Sequence, residues 1–225
     1  MELELTRPAV SLTDYALAIE CAVFAVLLAR RPAADRVLRQ WFVVFFLSIA
    51  AASTLGGTMH GFFEYSTSPV RTILWIATLL SILLTSFATW SIAAIIQLDA
   101  RTSRWVQAFA LAQILVLSLV VLFLSRQFVI AIVAYLPATV FFLIALWLAY
   151  RRRRESALAW GVAGLALTFV GAAVQQLKIA PHPIYFDHNA LYHVIQFVAL
   201  WMIYRAATWI SAAQPLVRST HDLET

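Results

Sequence analysis

Seven stretches of the chain are too long and too apolar to fold in water. They run over residues 14–30, 38–62, 70–98, 105–124, 128–150, 156–177 and 188–210. Each is near the roughly 20 helical residues needed to cross a hydrocarbon core about 30 Å thick. Inside a bilayer every peptide N–H and C=O must be satisfied within the protein, so such runs are read as helices. With 63% hydrophobic and only 12% charged residues among 225, there is too little charge to cover a soluble surface. The expected fold class is an all-α integral membrane protein with seven transmembrane helices. Residues 1–211 form one transmembrane domain and 212–225 a short polar tail.

The basic residues orient these spans. Arg30, Arg31, Arg36, Arg39, Arg101, Arg104, Arg151, Arg152, Arg153, Arg154, Arg205 and Arg218 fall on one side, against Arg7, Arg71, Arg126 and Lys178 on the other. Basic residues near span ends mark the cytoplasmic side, so the N-terminus is expected outside and the C-terminal tail inside. A bacterial cytoplasmic (inner) membrane is the expected location. The same distribution accounts for a net charge of +5 without a nucleic-acid partner. The acidic start MELELTRP does not resemble a cleavable signal, so the first span is expected to stay. A lone cysteine, Cys21, excludes an intrachain disulfide and a thiolate metal cluster. Gly161, Gly164 and Gly171 suit close helix packing, and Pro137 is expected to kink span five. The run Arg151–Arg154 reads as a stop signal before it reads as a lipid-binding patch.

Ionisable and amide groups at membrane depth are expensive and so are functional candidates. They are Glu20, His60, Glu64, Asp187, His188 and His193, with Asn189, Gln175, Gln176 and Gln196 beside them. The topology brings the end of span two and the start of span seven to the same outer level, and Glu20 is expected about two turns below it. Asn189 and His193, four apart, share a helix face, whereas His188 and His193 point about 140° apart at roughly 100° per residue. Asp187 and Asn189 are both plausible N-caps. A bound Zn²⁺ would hold several imidazoles together. His60 and His193 are its first candidate ligands, with His188 or Asn189 supplying another. A hydrogen-bonded polar cluster without metal explains the same residues. Haem is a weaker alternative. The only lysine, Lys178, stands at the end of span six, which excludes a retinal Schiff base in span seven.

The stretches GGTMHGFF at 56–63 and HNALYHVIQ at 188–196 resemble those of the seven-helix hydrolase superfamily that includes alkaline ceramidases and the progestin and adipoQ receptors. The resemblance is that of a divergent bacterial member. It implies Zn²⁺ held by imidazoles, with the helix-two ligand at His60 and a helix-seven ligand at His193. Hydrolysis of a lipid amide or ester is the implied activity. Gly56 stands where that family has Ser, Asn189 where it has the first helix-seven His, and span three has no acid. Glu20 or Asp187 would then be the catalytic carboxylate. The expected partner is a membrane lipid, as substrate or ligand. The alternative is a non-catalytic seven-helix protein whose polar cluster binds a lipid, small solute or ion.

Overall fold

The computed structural model describes residues 5–213. Seven helices make up nearly all of it: α1 Pro8–Arg30, α2 Arg36–Phe62, α3 Pro69–Gln97, α4 Ala100–Leu119, α5 Val129–Arg153, α6 Ser156–Gln176 and α7 His188–Ala212. The last turn of α4 widens into a π-turn at Val120–Leu124. All seven are long and apolar enough to cross a membrane, and the protein is an all-α membrane protein. The polar tail expected after 212 lies, from Gln214 with Arg218, outside the described residues.

Helix ends follow local chemistry. Asp35, Ser68, Asp99 and Asp187 cap α2, α3, α4 and α7 through their side-chain oxygens, supplying acceptors to N–H groups that have no partner in the first turn. Pro8 and Pro69 open α1 and α3, where a missing N–H is no loss. The first helix therefore begins six residues before the apolar run that starts at Asp14. Thr13 donates 2.8 Å back to the Ala9 carbonyl, so this polar residue sits within the helix, and Asp14 is an interior residue rather than a boundary. Helix α5 continues through Pro137, and beside it Ser86 of α3 donates 2.7 Å to the Ala134 carbonyl.

Neighbouring helices form a closed ring in the order α1, α2, α3, α5, α6, α7 and back to α1, while α4 lies outside against α3 and α5. Within α4 only Ser103 and Ala110 are buried, and Trp105, Phe109, Leu115 and Val116 are exposed, as suits a lipid-facing helix. The densest core lies towards the arginine-rich end, where Phe42, Phe45, Phe46, Phe142 and Leu146 are fully buried. There Phe24 of α1 stacks on Tyr204 of α7 with ring centroids 4.2 Å apart. Glycine sets two of the closest approaches. A Cβ on Gly164 of α6 would come within 2.7 Å of the Ala199 carbonyl of α7, and one on Gly57 of α2 within 2.8 Å of Asp14 Cβ in α1. Only a residue without a side chain lets these backbones come so near.

Candidate functional site

The alternating helices bring the starts of α1 and α7 and the end of α2 to one end of the bundle, the outer end in the orientation that the arginines predict. Two polar layers occupy it. The first is a chain of side chains. His60 Nδ1 lies 2.7 Å from Glu64 Oε2, one helical turn on. Glu64 Oε1 is 3.5 Å from Arg7 Nη1, and Arg7 Nη2 donates to Asp187 Oδ2. The Arg7 guanidinium thus ties the end of α2 to the start of α7. Asp187 has a second role, because its Oδ1 accepts from the N–H groups of Asn189 and Ala190 at 2.9 and 3.0 Å. Arg71 donates 3.0 Å to the Glu64 carbonyl.

Burial alone would raise the pKa of Asp187, but the hydrogen bonds from Ala190, Arg7 and Asn189 outweigh it and hold the carboxyl below its ordinary value. A folded-state pKa below the unfolded one means stability that is present above the unfolded pKa, near 3.9. It is lost as the pH falls through the lower folded value. Asp187→Ala is accordingly expected to cost about 0.5–2 kcal/mol at neutral pH, the range for a lost N-cap. The difference from wild type should close in strong acid, as read by thermal unfolding in detergent across pH.

The second layer lies about 9 Å along α1 and about 7.5 Å along α7 at a rise of roughly 1.5 Å per residue. His193 reaches across to α1 with both ring nitrogens, Nδ1 at 3.1 Å from Thr13 Oγ1 and Nε2 at 3.3 Å from Asp14 Oδ1. The Thr13 hydroxyl lies within hydrogen-bonding distance of the Ala9 and Val10 carbonyls, at 2.8 and 3.0 Å, as well as of His193 Nδ1. Asp14 is buried and its side chain lies against Gly56 and Gly57 of α2.

Behind this pair, Tyr192 of α7 lies near Asp14 and within hydrogen-bonding reach of Gln196. Tyr135 of α5 lies near Tyr192 and Cys21. Both rings sit deep among the helices, yet each keeps part of its surface exposed. Gln196 accepts 3.2 Å from Thr168 of α6.

The residues singled out from sequence divide accordingly. His60 and His193 reach the same end and lie within electrostatic range of each other. Each is already engaged by a carboxylate, Glu64 and Asp14 respectively. Asn189 turns to α6, accepting 3.2 Å from Gln175. His188 opens α7, half-buried, and among the described residues no hydrogen bond joins it to the other histidines. Glu20 lies about 18 Å along α1, deeper than the two turns expected, with Oε2 buried and unpartnered; at that depth it is remote from the layer formed by Asp14 and His193. Among the described residues no three His, Cys, Asp or Glu side chains gather as a metal-ligand set.

Arg7, Thr13 and Asp14 are not marked as site residues by the sequence. A carboxylate inside a 23-residue apolar helix is the available signal for Asp14, masked because Asp14 stands at the first residue of the apolar run. Nothing in the sequence marked Arg7 as the tie between helices that are 57 and 180 residues away.

A family model described as a family of unknown function, DUF6962, matches residues 9–211. The chain belongs to that family, and the matched segment contains both histidines and Asp14. No curated protein and no solved structure matches it.

Proposed function

We propose that this DUF6962 member is a lipid-binding membrane protein whose outer polar layers hold the head of a membrane lipid that carries hydroxyl or amide groups. One observation carries the reading: both nitrogens of His193 face α1, Nδ1 at 3.1 Å from Thr13 Oγ1 and Nε2 at 3.3 Å from Asp14 Oδ1. Asp14 Oδ2, which faces Gly56 and has no hydrogen bond among the described residues, is left to interact with a hydroxyl or amide of a neutral head group. A metal would first have to draw a nitrogen of His193 away from Thr13 or Asp14. The carboxyls of Glu64, Asp187 and Asp14 outnumber the guanidiniums of Arg7 and Arg71, which disfavours a phosphate at this end. The partly exposed rings of Tyr135 and Tyr192 would give an acyl chain an apolar surface below the head group, since ligand sites are largely apolar with a few placed polar groups. The cytoplasmic membrane of a bacterium, with the N-terminus outside, is the setting that the reading adopts from the basic residues.

The competing reading is zinc-dependent hydrolysis of a lipid amide or ester, with His60, His193 and either His188 or Asn189 around the metal. It rests on the resemblance to the ceramidase-like superfamily and on the convergence of His60 and His193 at one end. Two measurements on the purified full chain separate the readings. Native mass spectrometry with added ceramide is expected to show one adduct per chain, weakened at least about tenfold, or about 1.4 kcal/mol, by Asp14→Ala. Incubation is expected to leave the ceramide intact. Stoichiometric zinc that is lost in both His60→Ala and His193→Ala, with release of fatty acid, would overturn the binding reading in favour of the hydrolase. Absence of a ceramide adduct in the wild type would also overturn it.

A further inference from the structure

At the opposite end of the bundle, α1, the loop after it, α2 and the last turn of α7 line a half-open cavity of about 420 Å³. This is within the roughly 300–1,000 Å³ of small-molecule sites. Leu28, Pro32 and Ala212 supply apolar walls, and Arg31 and Arg39 line the same cavity. The frame is built rather than incidental. The N–H of Ala34 donates 3.0 Å to the Ser211 carbonyl, and one nitrogen of Arg39 donates 2.7 Å to the Arg31 carbonyl. Among the described residues neither guanidinium has a carboxylate within ion-pair distance. The nearby acid, Asp35, is turned to cap α2, accepting 2.9 Å from the Leu38 N–H.

A second feature points to a ligand. Ser211, only 3% exposed, lines the cavity and its hydroxyl has no hydrogen-bond partner. A buried hydroxyl in this position is costly unless something accepts or donates there. Two arginines supply the donors that recognise phosphate, and the unpartnered Ser211 hydroxyl is buried beside them. The apolar walls and the position at the arginine-rich helix ends suit a phosphate that is attached to an acyl-bearing neck, in the leaflet where anionic lipids concentrate.

We propose that this cavity is a site for an anionic phospholipid, its phosphate held by Arg31 and Arg39 beside Ser211 and its neck lying against Leu28 and Pro32. The site is independent of the outer cluster and of what that cluster binds.

Native mass spectrometry of the detergent-purified full chain with added phosphatidylglycerol or phosphatidylcholine tests it. One phosphatidylglycerol is expected to bind in preference to phosphatidylcholine and to weaken by about fivefold for each of Arg31→Gln and Arg39→Gln. Ser211→Leu keeps both charges but fills the cavity, and it is expected to abolish the adduct, which guards against a purely electrostatic effect. Arg31→Lys with Arg39→Lys should retain part of the affinity, and unfolding temperatures measured in parallel identify any variant that has lost its fold. Equal binding of the two lipids, or phosphatidylglycerol binding unchanged in both the Arg31→Gln/Arg39→Gln double variant and Ser211→Leu, would overturn the proposal. So would displacement of the lipid by millimolar inorganic phosphate, because it would identify free phosphate as the ligand.

Discussion

His193→Ala is expected to destabilise the protein by about 3 kcal/mol, where the ranges for an orphaned buried hydrogen-bonding group and for a broken buried ion pair meet. The substitution removes the ion-pair contact of Asp14 with α7 and leaves that carboxyl buried against Gly56 and Gly57. It also removes the contact between the imidazole and the Thr13 hydroxyl. Asp14→Ala is expected to cost less, because the imidazole it leaves keeps its bond to Thr13. A double-mutant cycle on Asp14 and His193 should give a coupling of about 1–3 kcal/mol, as found for residues in one hydrogen-bonded network. Unfolding in detergent by denaturant titration reads all four proteins. A coupling near zero would mean that the pair is not formed in solution.

Gly164→Ala should cost about 1–3 kcal/mol, because its new methyl would stand 2.7 Å from the Ala199 carbonyl and 2.9 Å from Met202 Cβ. The first obstacle is backbone, which cannot rotate away, so α6 and α7 must separate slightly along their whole contact. Gly56→Ser provides the contrast. A Cβ there would meet Asp14 Oδ2 at 3.7 Å and Thr78 Cγ2 at 3.9 Å, ordinary contact distances. The serine that the resembled hydrolases carry at this place is therefore expected to be accepted within about 0.5 kcal/mol, as for a substitution that meets no special feature. Thermal unfolding of the two variants side by side checks the difference. Equal losses would show that the approach of α6 to α7 is looser than the structure has it.

Much of the architecture was readable before any tertiary information. Five of the seven expected apolar runs have starts within two residues of the observed helices, because burial in lipid is a property of each segment by itself. The first began six residues early, owing to Pro8 and to the back-bonded Thr13, and the fourth five residues early, where Asp99 caps α4 ahead of the polar stretch preceding Trp105. Residues such as Gly164 also announced a close contact, and the contact proved to be with α7. The outer polar residues announced themselves by the cost of placing them in a membrane.

Their pairing did not. Sequence spacing placed Asn189 and His193 on one face of α7, yet the first bonds to α6 and the second to α1, since a forty-degree difference in direction is enough to reach different neighbours in a closed ring. Likewise Asp14 became visible only as the partner of His193, and Arg7 only as the link from Glu64 to Asp187. Hydropathy and charge determine how many helices there are, where they stop and which end is richer in arginine. Which side chains meet depends on how each helix is turned about its own axis. That rotation is decided by the glycine contacts and the aromatic core between helices far apart in the chain, information that no single segment contains.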